Sequence, residues 1–298
     1  MDINFEHYKV FYYVASSLSF SEAASKLFIS QSAVSQSVKL LEEKLGAKLF
    51  MRNTKQVKLT HDGDMLFKHI EQAFNLIKIG ERSIQEVHSL QRGEIRIGAS
   101  DTICRYYLLK YFKRFHELYP QIKISITNRP STVCAELLNK GLIDVSIANL
   151  PDTSDLRSIN IIKLKTFQDV FIAGQSFSQL EGKLLTPAEL AKYPLLMLER
   201  PTITRTYFDS FFEKSGVFIT PEIELGSVDL LVDLVKIGLG ISFICIDYIE
   251  KELTNNELFV LEVNTDIAPR QLGILTHNNL PVPVAAQKFI ELLQNERL

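Results

Sequence analysis

The segment from Ser19 to Leu41, SFSEAASKLFISQSAVSQSVKLL, constrains this chain more than any other. Its spacing predicts a helix, a turn and a second helix. Ser19 stands three residues before Glu22, the capping-box separation that satisfies free N–H groups at a helix start. Ala23, Ala24 and Leu27 give the first helix a face small enough for another helix to cross closely. Phe28-Ile29 closes it, and Ser30 suits the N-cap of a second helix whose apolar residues are Ala33, Val34, Val38 and Leu41. The opposite face carries Gln31, Ser32, Ser35, Gln36 and Lys39. These are hydrogen-bonding groups with little negative charge, as a helix in a DNA major groove requires. An ordinary helical hairpin with a solvated polar face has the same pattern, and these residues alone fit both readings equally.

Around that segment lie Phe20, Ala23-Ala24, Leu27, Ser30-Gln31, Ala33-Val34-Ser35, Leu41-Glu42, Leu45-Gly46, Leu49-Phe50, Arg52, and Leu59-Thr60 ahead of Gly63. With these matches the window from Phe11 to Gly63 resembles the winged helix-turn-helix of LysR-type transcriptional regulators. The chain length suits that family too, and beyond residue 60 the likeness is carried by pattern. The resemblance implies a multidomain α and α/β fold: an N-terminal winged helix-turn-helix, a long linker helix, and a two-subdomain α/β effector domain similar to periplasmic solute-binding proteins. Two departures bear on which bases are read. The family usually has proline where this chain has Ser32, and often arginine where it has Gln36.

The formal charge of −2 does not by itself suggest a nucleic-acid partner, but its distribution does. Residues 1–60 hold eight Lys and Arg against five Asp and Glu, while the remainder holds 25 against 30. Lys44, Lys48, Arg52, Lys55 and Lys58 follow one another with no acidic residue from Lys44 to Lys58. A basic patch on an acidic body fits a small DNA-contacting head. The start, MDINFEHYKV, carries Asp2 and Glu6 and no long apolar run, so no secretory leader is expected. No segment has the length of a membrane span without charges. Cys104, Cys134 and Cys245 lie far apart with no C-x-x-C, so reduced, buried thiols of a cytoplasmic protein are expected.

Taken in order, residues 4–17 form a helical stripe of Phe5, Tyr8, Phe11, Tyr12 and Ala15 that would cover the helix pair. After Gly46, KLFMRNTKQVKLT reads as a short hairpin, the wing, with Arg52, Lys55 and Lys58 placed to meet phosphates or a minor groove. This completes a head over 1–60. Residues 61–92 form a linker helix in which Leu66, Ile70, Ala73, Ile77, Gly80, Ile84 and Val87 follow a heptad seam. Such a stripe cannot bury itself alone, so a second copy is implied. In the family resembled, this arm pairs with its counterpart, giving a homodimer, and commonly a dimer of dimers.

From Gly93 onward a βαβαβ rhythm predicts a parallel sheet: GEIRIGAS, a helix from about 104 to 118, KISITN, a helix over 132–139, then DVSIAN. The rhythm repeats in PLLML, EIELG and GISFI with their helices, and the chain closes with LFVLEV, RQLGILTH and a helix from about 284. Two α/β subdomains are expected within 93–298: one over 93–163 plus 268–298, the other over 164–267.

Ligands of open α/β sheets sit beyond the C-terminal strand ends. Those ends carry Ser100 and Thr102, Ser131 and Thr132, Asn149, and in the second unit Thr202 and Thr204. Hydroxyls beside free helix N–H groups suit a carboxylate or oxyanion, although each is equally explained as an N-cap. By resemblance, Ser100, Thr102, Ser131 and Thr202 line an inducer cleft. Arg129 reads more readily as a surface arginine than as a counter-charge, and Asp101 argues against a strongly anionic ligand. Where the family commonly has proline after the strand near Phe243, this chain has Ile244-Cys245-Ile246.

Together these features predict a regulator of double-stranded promoter DNA controlled by a small-molecule effector. Gln31, Ser32, Ser35 and Gln36 would touch base edges, and Lys39, Arg52, Lys55 and Lys58 would hold phosphates. A cytoplasmic solute-binding protein would need no basic head. An enzyme-like α/β domain would need catalytic groups, yet Gly98-Ala-Ser100 lacks the second glycine of a nucleophile elbow and Gly238-Leu-Gly240 lacks the third of a dinucleotide fingerprint. His116-Glu117 has no second histidine at metalloprotease spacing, so neither metal nor cofactor is expected.

Overall fold

A computed structural model describes residues 3–53, 56–88, 93–150 and 158–295. The chain divides into two compact units, Met1–Glu81 and Arg82–Leu298. The first begins with α1 (Phe5–Ser17), α2 (Phe20–Leu27) and α3 (Gln31–Leu45). Each start is fixed by a side chain: Asn4 accepts from the Glu6 N–H, Ser19 from Glu22 and Ser30 from Ala33. Only half of the expected capping box forms at Ser19, because the Glu22 carboxylate turns to Lys26 at 2.8 Å. An antiparallel hairpin follows, β1 (Phe50–Asn53) with β2 (Gln56–Leu59), Phe50 facing Leu59. Then comes α4 (His61–His88). Gly63 is required at its start, since a Cβ there would lie 2.0 Å from the Leu49 carbonyl oxygen.

The core of this unit contains Val10, Phe11, Val14, Ala23, Val34, Val38, Leu41, Leu49 and Phe50. Aromatic contacts join α1 to α4: Phe5 stacks on Phe74 at 5.4 Å and Tyr12 on Phe74 at 4.7 Å. Ala33, expected on the inner face, is exposed instead, so the polar face of α3 includes it. The carboxylate of Glu42, only 3% exposed, accepts from the backbone N–H of Leu49 at 2.9 Å and Phe50 at 3.4 Å. Lys48 Nζ lies 3.1 Å from it. This buried acid ties the end of α3 to the start of the wing.

The second unit opens with β3 (Glu94–Ala99), α5 (Asp101–Ile103), a π turn over Cys104–Leu108, and α6 (Leu109–Leu118). The helical stretch thus begins three residues before the expected 104, because Ser100 caps it by accepting from the Ile103 N–H at 3.3 Å. Then come β4 (Lys123–Asn128), α7 (Ser131–Asn139), β5 (Val145–Leu150) and β6 (Ile159–Phe167). Next are β7 (Asp169–Gly174), β8 (Leu184–Leu185), α8 (Pro187–Leu190), β9 (Leu195–Leu198) and α9 (Ile203–Lys214). The chain continues through β10 (Ile223–Leu225), α10 (Val228–Lys236), β11 (Ile241–Cys245) and α11 (Glu250–Thr254). It closes with β12 (Leu258–Val263), β13 (Arg270–His277) and α12 (Val284–Asn295).

Two mixed sheets result. The first has the order β4-β3-β5-β13-β6, the second β10-β9-β11-β7-β12-β8. In the first, β3 is parallel to β4 and β5, whereas β13 runs antiparallel to β5 and β6. The chain crosses between sheets twice, at Gln168 and between Val263 and Arg270. The first crossing lies later than the expected 163/164, since β6 stays paired with β13 as far as Phe167, opposite Arg270. One apolar cluster holds residues of both sheets, including Ile95, Phe115, Ile147, Val232, Tyr248 and Phe289, while Phe171, Phe208, Phe212 and Phe243 fill a second within the latter sheet's subdomain.

At the crossings, Asp169 opens β7 and Arg270 opens β13, and both are buried. Their carboxylate and guanidinium pair in bidentate fashion, with Nη2 to Oδ1 at 2.6 Å and Nε to Oδ2. Burial works against the Arg270 charge, but Asp169 outweighs it and holds the guanidinium protonated.

Candidate functional site

On the first unit, the exposed surface of α3 carries Gln31, Ser32, Ala33, Gln36 and Lys39, with Ser35 half-buried. Gln31 Oε1 accepts from Ser21 Oγ at 3.2 Å, and Ser32 Oγ lies 2.9 Å from Ser30 Oγ, so the ends of α2 and α3 are joined by polar side chains. Lys39 is 3.6 Å from Glu43, an exposed and weak pair. Lys58 is exposed on β2. Arg52 lies in β1, and Lys55 falls outside the described residues. The face thus offers donors and acceptors of neutral side chains flanked by lysines.

Along α4, Leu66 and Ile70 pack against the core of the first unit, so that core draws on the upper part of the seam. Ile77 and Ile84 are exposed, at 43% and 64%, beside Leu76 at 45%. Ala73 is half-buried. A Cβ at Gly80 would meet nothing within 4 Å. Val87 belongs to the same helix.

In the second unit, a cavity of about 310 Å³ opens between the two subdomains. Ser100, Thr102, Ser131 and Asn149 line it from the first subdomain, Thr202 and Thr204 from the second. Thr132 is exposed and is not among the lining residues, which reach it through Asn128, Arg129 and Pro130 instead. Arg129 is exposed, as the sequence suggested, and also lines the cavity. Asp101, Glu199, Gly226, Ile244 and Tyr248 complete much of the wall. Glu199 and Tyr248 carried no signal in the sequence, because each follows its strand through a loop or turn with no motif.

The hydroxyls are used in three ways. Ser100 and Thr202 are N-caps; Thr202 accepts from the Arg205 N–H at 3.2 Å and donates to the Glu199 carbonyl at 3.1 Å. Ser131 is not a cap but the first residue of α7, and its Oγ accepts from the Asn149 N–H at 3.2 Å. Thr102 and Thr204 lie on the cavity wall without serving as caps. Arg205 is 4% exposed and anchors α9 through Asp209 at 2.8 Å, Glu224 at 2.9 Å and the Leu198 carbonyl at 3.1 Å.

Polar and aromatic contacts bridge the subdomains behind the cavity. Tyr106 stacks on Tyr248 with ring centres 4.6 Å apart, and Tyr248 meets Phe167 edge-on at 5.9 Å. Arg105 Nη1 lies 3.1 Å from Asp229, and Lys165 Nζ 2.5 Å from Asp247. Burial pushes the thiols of Cys104 and Cys245 up to about 11 and about 12, and that of Cys134 upward too, so none is a thiolate at neutral pH. A larger cavity, about 490 Å³, lies beside α9 and the return crossing at Thr265–Ala268 but draws on none of the strand ends of the first sheet. Among the described residues no group of His, Cys, Asp and Glu could hold a metal ion, and no helix is long and apolar enough to cross a membrane.

Comparison with known proteins matches both units. Residues 5–64 fit the family described as bacterial regulatory helix-turn-helix protein, lysR family, and residues 88–297 the LysR substrate binding domain. A probable RuBisCO transcriptional regulator of Cyanidioschyzon merolae is 29% identical over 285 residues, 93% of each chain. The RuBisCO operon transcriptional regulator of Allochromatium vinosum is 27% identical, covering 99% of this chain and 97% of that protein. Among solved structures, a full-length OxyR variant from Pseudomonas aeruginosa has a TM-score of 0.68 at 19% identity, over 99% of this chain and 94% of that one. Full-length CbnR complexed with its target DNA has a TM-score of 0.65 at 18% identity, over 98% and 99%.

Proposed function

The chain belongs to the LysR family of transcriptional regulators, and from that premise we propose the residues through which it reads a promoter and senses an effector. Residues 1–60 form the DNA-binding head, 61–92 the linker and dimerisation helix, and 93–298 the effector domain. Gln31, Ser32, Ser35 and Gln36 contact base edges; Lys39, Arg52, Lys55 and Lys58 contact phosphates. Ile77 and Ile84, with Ala73 and Val87 of the same seam, join two copies, while Leu66 and Ile70 serve the head's own core, and a two-fold dimer makes the operator quasi-palindromic.

The observation that carries the sensing role is the cavity walled by Ser100 and Ser131 from one subdomain and Thr202 and Thr204 from the other. A ligand touching both walls favours one relative placement of the subdomains, which is the differential affinity a switch requires. The task is binding rather than catalysis, in the cytoplasm. Supporting this, the Ser100 and Thr202 hydroxyls are committed to helix caps.

Footprinting of the full-length protein on the DNA upstream of its own gene, with and without metabolites, tests the whole reading. The expected result is a protected site whose length changes when an effector is added. Equal affinity for that fragment and for random duplex at modest ionic strength overturns it.

A further inference from the structure

The geometry points to a zwitterionic effector: a small molecule with a protonated nitrogen for Glu199 and a single anionic group for the opposite wall. This rests on the cleft being the effector site and adds the chemical class that it accepts.

The first support is an acceptor left without a donor. Glu199 lines the cavity, and its carboxylate makes no hydrogen bond or ion pair among the described residues. The nearby arginines are committed elsewhere. Arg200 holds Asp209 through Nη2 at 2.6 Å, and Arg205 holds Asp209 and Glu224. Gly226 leaves room for the carboxylate in this position, because a Cβ there would come 2.7 Å from Glu199 Oε1. On the other wall, the side-chain oxygen of Asn149 is closed off from solvent and has no donor. Glu199 is exposed and open to a cation, whereas the closed-off Asn149 acceptor without a partner is costly, a cost that a ligand N–H group removes.

Charge balance supplies the second support. Asp101, Glu199 and Arg129 are the charged residues of the wall, one net negative charge. A polyanion would therefore meet two carboxylates against one guanidinium. Yet Arg129, beside the first turn of the nine-residue α7, favours one anionic group there. A molecule bearing both signs satisfies both walls, with its ammonium or amidinium on Glu199 and its carboxylate near Arg129 and Ser131. The volume, about 310 Å³, suits a compound of amino-acid size.

The test uses the full-length chain and a small-molecule cell extract split on a cation-exchange resin at acidic pH, where amino compounds are retained and carboxylates, phosphates and sugars pass. The retained fraction is expected to raise the melting temperature of the wild type. Individual L-amino acids, with their deaminated acids as controls, then give dissociation constants. Glu199→Gln and Gly226→Ala are each expected to weaken the active amino acid at least tenfold while leaving the unliganded melting temperature unchanged. A shift produced by the unretained fraction, undiminished by Glu199→Gln but abolished by the cavity-filling Thr204→Leu, overturns the ligand class and leaves the cleft as the site. A shift that survives Thr204→Leu, or no shift from either fraction, overturns the cleft reading and the class with it.

Discussion

Tyr106 donates its hydroxyl proton to Asp229 Oδ1 at 2.6 Å, and the two residues belong to opposite subdomains. Tyr106 lies in the π turn that follows α5, and Asp229 in the first turn of α10. Because Tyr106 also stacks on Tyr248, which lines the cavity, the bond sits one side chain away from the cavity. A hydrogen bond to a charged acceptor contributes about 1.5–3 kcal/mol. Tyr106→Phe keeps the stack and removes the bond, so a loss near the lower end of that range is expected. In a unit of this size it would lower the melting temperature by roughly 2–4 °C per kcal/mol, read by calorimetry. An unchanged melting temperature would show that the contact adds nothing to the arrangement of the subdomains.

The Asp169–Arg270 pair joins the two crossings, and its burial makes a broken pair worse than no pair. Asp169→Asn leaves a buried guanidinium without its counter-charge, and one nitrogen of Arg270, Nη1, already lacks a partner. Loss of one member of such a pair costs about 3–5 kcal/mol. Urea denaturation is expected to show that loss for Asp169→Asn and a smaller one for the double substitution Asp169→Leu, Arg270→Met. Additive losses in the double variant would mean the two groups are energetically independent.

What could be read in the sequence was local, and what could not was distant in sequence. Ser19, Ser30, Ser100 and Thr202 announce helix starts within three residues, and each does cap a helix. The alternating and helical periods marked the main strands and helices of both subdomains, but not the short β8 and α11, nor the antiparallel pairings of β13 and β7. Asp169 and Arg270 are 101 positions apart, and nothing near either reveals the other. Tyr106 and Asp229 are likewise separated by 123 positions. Arg129 is exposed as expected, but its place on a cavity wall depends on a second subdomain and so is not written in the residues around it. Glu199 was invisible for a related reason: its meaning lies in the absence of a partner, which only three-dimensional surroundings reveal. Ala33 misled because a small residue at a helix start satisfies the inner and outer faces equally.

Glu42 gives the head a dependence on pH. Burial works to raise its proton affinity, but the Leu49 and Phe50 N–H groups and Lys48 outweigh it, and the carboxyl is held below the ordinary value. A depressed folded-state value contributes stability that is present above the unfolded value, about 4.3, and is lost as pH falls through the folded one. Hydrogen exchange of α3 and wing amides in the full-length chain is expected to show protection falling as pH drops below about 4.3, after correction for intrinsic exchange. Glu42→Gln should lower protection at neutral pH and flatten that acid dependence. A dependence just as steep in the variant would assign it to other carboxylates.

Gln36 and Lys58 separate the two ways of touching DNA. Both are exposed, one on α3 and one on the wing strand β2. Gln36→Ala is expected to cost about 1–3 kcal/mol on some operator variants and little on others, because a base edge is read or not read. Lys58→Ala is expected to weaken every sequence alike and to reduce the salt slope of the binding constant by about one. Fluorescence anisotropy over a salt series with an operator panel gives both quantities. Uniform losses from Gln36→Ala would remove it from the reading face.

The seam on α4 is tested at its open positions. Ile84 is 64% exposed and Gly80 has open space at its Cβ, so substitutions there leave the single chain intact. Gly80→Ala would by itself favour the helix by roughly 0.8–1.0 kcal/mol, since glycine is a poor helix former. If a partner helix crosses closely at that point, the larger Gly80→Leu and the charged Ile84→Glu both separate the copies. Sedimentation velocity is expected to show the wild type associated and both variants shifted toward monomer, with operator affinity falling in parallel because each half-site is then bound alone. Variants that sediment as the wild type would place the dimer contact on another face, and Leu76, also exposed, would be the next residue to change.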